Sequence, residues 1–303
     1  MSEYNMKSIK KKFKEKGIFY TPPELALMIK EYLPQKIEEV YDPTCGDGGL
    51  LKVFDNETIK YGQEIEERQC EIAREIPNSH IFCGDTLAEP AFRNKKFDYI
   101  VANPPFSIKW EPEKCEHFKS YPVIPTASRA DYAFILHILD YLSDKGKAIV
   151  LNSPGILYRG NKEYKIRKWI IEQNYIEKIV LIPGKTFIDT TIATVILVLN
   201  KSKENNCIEF EDKELNKKRI VTIEEIEKND YCLSVNNYIE KDYVKEIIDA
   251  EKLNSKAREN MIKKIEDDIN FDLMVCEIEG KDKKEYVNMI IDKLQEIKKR
   301  IEM

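Results

Sequence analysis

The sequence has little of what would mark a secreted, metal-bound or membrane protein. Its seven cysteines, at 45, 70, 83, 115, 207, 232 and 276, include no CxxC pair. Their odd number and scattered spacing exclude a disulfide framework and a zinc ribbon, and fit a reducing cytoplasm. The longest apolar stretch, Ile192 to Leu199, is far short of the roughly 20 residues that span a bilayer, so no membrane role is expected. The start, Met1-Ser2-Glu3-Tyr4, lacks the basic-then-apolar layout of a signal peptide. Only 11 glycines and 13 prolines are present, too few for a fibrous or low-complexity chain. There is no surplus of positive charge either: 49 Lys and Arg face 54 Asp and Glu, for a net charge of -5. Such a chain does not grip nucleic acid unaided, so any DNA binding must be local or borrowed from a partner.

What remains is 303 residues with 42% hydrophobic content, enough for one large α/β domain and a smaller appendage. Lysines at 7, 10, 11, 12, 14 and 16 precede Gly17 and read as a basic arm over residues 1–18, a solvated helix face rather than a phosphate site. Over residues 19–205, β-rich runs alternate with helical periodicity. The runs are Val40-Tyr41, Ile59 to Tyr61, His80 to Cys83, Tyr99 to Ala102, Ala148 to Leu151, Ile179 to Ile182 and Thr194 to Leu199. Apolar residues at three-four spacing predict helices over Glu66–Ile76, Tyr132–Leu142 and Tyr164–Asn174. The alternation predicts a doubly wound α/β sheet of seven mostly parallel strands covered on both faces. The last two runs are too close for a helical crossover and should form a terminal antiparallel hairpin. Residues 206–303 are Lys/Glu-rich with Ile-spaced helices, and predict a mostly helical C-terminal extension suited to partner contact. Val287, Ile290, Leu294, Ile297 and Ile301 fit an amphipathic tail helix rather than a sustained coiled coil.

In doubly wound sheets ligands sit beyond the carboxyl ends of the strands, and four polar residues stand just after successive strands. Asp42 opens Asp42-Pro43-Thr44-Cys45-Gly46-Asp47-Gly48-Gly49, a glycine turn leading into a helix expected near Leu50. Glu64, Asp85 and Asn103 follow the second, third and fourth strands. Gly46, Gly48 and Gly49 let backbone amides approach a carboxylate. Glu64 lies 22 residues after Asp42, the separation at which a carboxylate reaches ribose hydroxyls, and Asp85 is placed to accept from an adenine amino group. The rival dinucleotide motif lacks its third glycine.

The segment Asn103-Pro104-Pro105-Phe106 carries the chemistry. An aromatic amine is a poor nucleophile because its lone pair is delocalised into the ring. Two acceptors, the Asn103 side-chain oxygen and the Pro104 carbonyl, can take both amino hydrogens and free that lone pair for attack on a methyl sulfonium. The prolines hold the acceptors rigidly, and Phe106 offers a face on which an extruded base can stack. As a bare tripeptide, Asn-Pro-Pro is more often a strand-ending turn; the preceding strand and the three upstream carboxylates favour the chemical reading. His137, on an apolar helical face, reads as a core histidine, His80 and His117 have no ligand-spaced partners, and Cys45 reads as a packing residue. No metal site is expected, and no nucleophile-base triad can be assembled.

These segments resemble the modification (M) subunits of type I restriction-modification systems, within the N6-adenine DNA methyltransferases. The similarity extends from Phe19-Tyr20-Thr21-Pro22 through Asp42 to Gly49, Gly62-Gln63-Glu64, Gly84-Asp85-Thr86-Leu87, Asn103 to Phe106, Ala130-Asp131-Tyr132-Ala133-Phe134, Ile166-Arg167-Lys168-Trp169 and Ile196 to Asn200, and ends with Asn229-Asp230-Tyr231 and Asn237-Tyr238. It implies a class I S-adenosylmethionine-dependent fold. It implies that Phe19, Tyr20, Thr21 and Pro22 help hold the methionine part of S-adenosylmethionine beside the Gly46-Asp47-Gly48-Gly49 turn, with Asp42 at its ammonium, Glu64 at its ribose and Asp85 at its adenine. Phe187 is similar in position to a family aromatic that contacts the flipped base. The implied partners are double-stranded DNA, a specificity (S) subunit that reads it and a restriction (R) subunit. Members typically carry a helical domain ahead of the Phe-Tyr-Thr-Pro segment, where 18 residues stand here. That departure predicts a shortened subunit, a stand-alone modification enzyme or one part of a split system. The alternatives are a protein glutamine methyltransferase, whose amide substrate poses the same lone-pair problem, and a non-catalytic scaffold. The Phe-Tyr-Thr-Pro segment argues against the first and the intact Asn-Pro-Pro-Phe against the second.

Overall fold

A computed structural model describes residues 21–112, 116–184, 193–240 and 250–302. The basic arm expected over residues 1–18, together with Phe19, Tyr20 and Phe187, lies outside the described residues. The chain divides into two compact units, Met1–Lys241 and Asp242–Met303.

The first unit is built on one sheet in the order β3-β2-β1-β4-β5-β7-β6-β8-β9. Its first seven strands are β1 (Glu39–Asp42), β2 (Ile59–Glu64), β3 (Ser79–Cys83), β4 (Phe97–Ala102), β5 (Leu142–Asn152), β6 (Ile176–Ile182) and β7 (Thr194–Asn200). Strands β1 to β5 pair in parallel, while β7 is antiparallel to both β5 and β6. This is the expected sheet with its terminal antiparallel pair. Alternate residues of the central strands enter two separate cores: Ile100, Ala102, Ala148, Val150, Val195 and Leu197 in one, Val101, Ile149, Leu151, Ile196 and Val198 in the other. A strand buried on both faces has no polar side to alternate with, which is why these segments read as continuous apolar runs.

Helices α1 (Pro23–Lys30) and α2 (Glu67–Arg74) cover one face; α3 (Asp131–Tyr141) and α4 (Asn161–Glu172) cover the other. Every residue of α3 except Asp140 is buried, so this helix is held by packing all round. His137 is fully buried on it, its Nε2 3.2 Å from the Tyr41 hydroxyl and its ring stacked on Tyr141. It is the core histidine expected. Cys45 is buried against Gly62, the packing position expected, and burial pushes its thiol well above the usual range.

The structure departs from expectation in two places. The helix expected near Leu50 is a single 3-10 turn, Leu51–Val53: Phe54 leaves it in an extended conformation and buries its own ring. The sheet also has nine strands rather than seven. Strands β8 (Cys207–Asp212) and β9 (Lys217–Thr222) and helix α5 (Ile223–Lys228) occupy a region expected to be helical. The boundary expected at residue 205 therefore falls inside the first unit, which runs to Lys241. The missed signal is the period-two alternation of Ile208 and Phe210, both fully buried, between Glu209 and Cys207. Charges on β9, at Lys217, Lys218 and Arg219, made it look helical; on an edge strand they instead discourage pairing with another chain. Phe210→Ala should cost about 3–5 kcal/mol in urea denaturation of the first unit. An unmoved transition would mean that residues 206–240 are a separate appendage.

The second unit is a helical hairpin of α6 (Ala250–Glu279) and α7 (Lys283–Glu302). Gly280 at φ +67 ends the first helix, and the Lys281 N–H donates back to Cys276 O at 2.8 Å, a glycine-terminated helix end. Leu294, Ile297 and Ile301 are exposed, as are Met261, Ile262 and Ile265. No helix among the described residues is long and apolar enough to cross a membrane.

Candidate active site

Because β1, β2, β3 and β4 run parallel, their carboxyl ends open on one edge, with Asp42 in register with Gly62 and Glu64 with Cys83. Asp42 and Glu64 are the last residues of β1 and β2; Asp85 and Asn103 follow β3 and β4. A cleft lies at this edge, lined by Thr21, Asp42, Thr44, Cys45, Gly46, Asp47, Gly49, Leu50, Gln69 and Asn103.

The glycine turn is shaped by side chains on both sides of it. Glu64 accepts from Gly46 N (3.0 Å) with one carboxylate oxygen and from Ile65 N and Glu66 N (2.8 and 2.9 Å) with the other. Asp47 accepts from Gly49 N at 3.1 Å and pairs with Lys52 at 3.2 Å. Gly48 sits at φ +83, where a Cβ would fall 2.1 Å from Ile76. Only glycine fits there, for backbone and packing reasons together.

Asp42 is almost wholly buried and accepts from Thr44 N at 2.9 Å. Burial, reinforced by the Glu64 charge, raises its carboxyl to about 7 against the pull of the Thr44 N–H. Asp42, Glu64 and Asp85 form no salt bridge among the described residues; backbone N–H groups are their closest donors. A Cβ on Gly46, at φ +55, would meet nothing within 4 Å, which leaves room for a ligand against that backbone. An acidic cleft with an open glycine face fits S-adenosylmethionine, which carries a sulfonium and an ammonium against one carboxylate.

At the tip of β4, Asn103 Nδ2 donates to Thr21 Oγ1 at 2.9 Å. This fixes the amide with its oxygen turned away from Thr21. Neither that oxygen nor the Pro104 carbonyl accepts a hydrogen bond among the described residues. Of the two residues, Asn103 lines the acidic cleft, whereas Pro104, next in the chain, is buried behind it and is not a lining residue.

Of the residues singled out in the sequence, Thr21, Asp42, Gly46, Asp47, Gly49 and Asn103 line the cleft together. Glu64 borders it through Gly46. Asp85, whose carboxylate accepts from Leu87 N and Ala88 N (2.8 and 3.3 Å), is not among the lining residues. Pro22, Gly48, Pro104, Pro105 and Phe106 do not line it either. Pro22 caps α1 by accepting from Ala26 N at 3.0 Å, and Phe106 is half-buried against the core under α1 and α2. Sequence reasoning missed Thr44, Cys45, Leu50 and Gln69 as lining residues. Thr44, Cys45 and Leu50 belong to the glycine turn and could have been included, whereas Gln69 is one polar residue on α2 and carries no signal.

The strand order, the two covered faces and the acidic edge are those of the class I S-adenosylmethionine-dependent methyltransferases. Within that class, the chain belongs to the N-6 DNA methylase family, whose model matches residues 1–220. It is 30% identical over 310 residues to the type I restriction enzyme MpnII methylase subunit of Mycoplasma pneumoniae, covering 81% of this chain and 57% of that one. It is 32% identical over 301 residues to the MjaVII methylase subunit of Methanocaldococcus jannaschii, covering 78% and 52%. Among solved structures, the type I restriction-modification system methyltransferase subunit from Streptococcus thermophilus matches with a TM-score of 0.66 at 28% identity, over 74% of this chain and 59% of that one. The chain spans about half the length of the curated relatives it matches.

Proposed function

We propose that this chain transfers a methyl group from S-adenosylmethionine to N6 of adenine in DNA, as the modification subunit of a type I restriction-modification system. The observation that carries the reading is Asn103, whose amide oxygen accepts no hydrogen bond among the described residues, lining one cleft with Asp42 and the glycine turn. S-adenosylmethionine supplies an electrophilic methyl group on sulfur. Asp42 holds the ammonium, Thr21 and the Gly46–Gly49 turn the methionine end, Glu64 the ribose and Asp85 the adenine. Asn103 and Pro104 accept the two hydrogens of the substrate amine, localising its lone pair for in-line attack. The base reaches them only when extruded from the duplex, and Phe106 offers it a stacking face.

The family match favours DNA over a protein glutamine as the substrate. The names of the relatives, methylase subunits of type I restriction enzymes, favour a subunit of a larger assembly, and the specificity and restriction subunits are the partners that the resemblance of the sequence implies. A net charge of -5 agrees with DNA recognition borrowed from such a partner. The exposed Leu294, Ile297 and Ile301 of α7 give the C-terminal unit an apolar face for partner contact. The reducing cytoplasm, where this DNA lies, suits the free thiols of the described cysteines.

Methylome sequencing of cells with and without the gene should show one N6-methyladenine motif that vanishes with the gene. An unchanged adenine methylome would defeat this reading.

A further inference from the structure

Within the Asn103 to Phe106 segment, Pro104 and Pro105 have no N–H to donate. Its near end is held by the Asn103–Thr21 hydrogen bond. Its far end is Ser107, which lies at φ +55, a conformation an L-residue keeps only when its surroundings impose it. Two charged side chains from other elements impose it. Asp131, the first residue of α3, accepts from Ser107 N at 3.2 Å. Arg159, in the loop after β5, donates from Nη2 to Ser107 Oγ at 3.2 Å and to Ser153 Oγ at 3.4 Å.

Those two residues belong to an ion cluster whose carboxylates are buried and whose arginines are partly exposed. Arg159 Nη1 is 3.6 Å from Asp131 Oδ2 and 3.6 Å from Glu163 Oε2, and Arg129 lies 4.0 Å from Glu163. Both carboxylates are buried, and Asp131 Oδ2, Arg159 Nη1 and both Glu163 oxygens make no hydrogen bond. The guanidinium also lies against Gly155, where a Cβ would fall 2.4 Å from its nitrogens. Gly155 thus keeps a space for it. An ion cluster with buried carboxylates gains little stability for the desolvation it suffers. What this one supplies is a fixed geometry at Ser107.

We propose that Arg159 and Asp131 are positioning residues that clamp the far end of the methyl-transfer segment, setting the Asn103 and Pro104 acceptors without touching donor or base. The inference rests on the methyltransferase reading above. Misplacing a reacting group by about 1 Å costs on the order of a hundredfold in rate, which sets the expected scale.

The test uses the full chain, in the complex in which it is active, with tritiated S-adenosylmethionine and unmethylated bacterial DNA. In Arg159→Ala, donor affinity by calorimetry should stay within twofold while the single-turnover rate falls about 30- to 100-fold. Added guanidinium ion, at concentrations too low to unfold the protein, should restore part of that rate by refilling the space. Gly155→Ala, which displaces the guanidinium and deletes no charge, should lower the rate in the same selective way without rescue by guanidinium. A rate within twofold of wild type, or equal losses of donor binding and rate, overturns the clamp. If wild type itself moves no methyl group to DNA, the DNA reading fails first. The clamp is then judged from the crystal structure of Arg159→Ala: a displaced Ser107 supports it, and an unchanged Ser107 and Asn103 overturn it.

Discussion

Asn103→Ala should lower the rate of methyl transfer about a thousandfold while leaving affinity for S-adenosylmethionine within a few fold. Removing one preorganised group aimed at transition-state charge costs roughly a hundred- to a thousandfold. Here the alanine also breaks the hydrogen bond to Thr21 that fixes the end of the segment. Donor binding should survive because the acidic side of the cleft, Asp42 with the glycine turn, is untouched. Asn103→Asp retains an acceptor and should keep more activity than the alanine variant. Single-turnover kinetics and calorimetry separate the two quantities; if both fall together, Asn103 binds the donor and is not part of the amine clamp.

The second large effect concerns Asp42, whose carboxyl lies at about 7 because it is buried and faces the Glu64 charge. With Asp42 as the proposed partner of the donor's ammonium, the ionised form is the binding one, and the donor should bind more tightly as pH rises from 6 to 8, gaining up to tenfold per unit below the midpoint. Stability moves the opposite way. A carboxyl near 4 in the unfolded chain and near 7 in the folded one favours the folded state when protonated, and the penalty for its charge grows from about pH 4 to pH 7 and is complete above that. At about 1.4 kcal/mol per unit the full penalty is on the order of 4 kcal/mol. Asp42→Asn should therefore raise the melting temperature by several degrees at pH 8 and by less at pH 5, while weakening donor binding most at pH 8. A variant that is less stable at pH 8 would mean that the carboxylate is stabilised in the folded chain by something other than the donor.

The residues carrying these two effects were visible in the sequence, because strand ends in a parallel sheet share one edge and the polar residue after each apolar run must lie there. The central strands were visible for a related reason. A segment buried on both faces must be apolar throughout, as Val195 to Leu199 is. Strands β8 and β9 were not, since half the residues of this partly exposed edge pair are charged and its fully buried apolar positions, Ile208, Phe210 and Val221, are few among lysines and glutamates. Nor was the weak helix after the glycine turn, where Phe54 gains more from burial than from extending the turn.

The sequence alone determined which chemistry is possible, since that depends on residue types at strand ends: carboxylates after β1 to β3 and a proline-stiffened acceptor pair after β4. Only the tertiary structure decided how the acceptors are aimed. Thr21 reaches Asn103 across 82 positions of sequence, and Asp131 and Arg159 reach Ser107 from α3 and the loop after β5, across 24 and 52 positions. Periodicity records what a residue faces within its own element. It carries no trace of hydrogen bonds between elements brought together by sheet order, and those bonds set the geometry of this site.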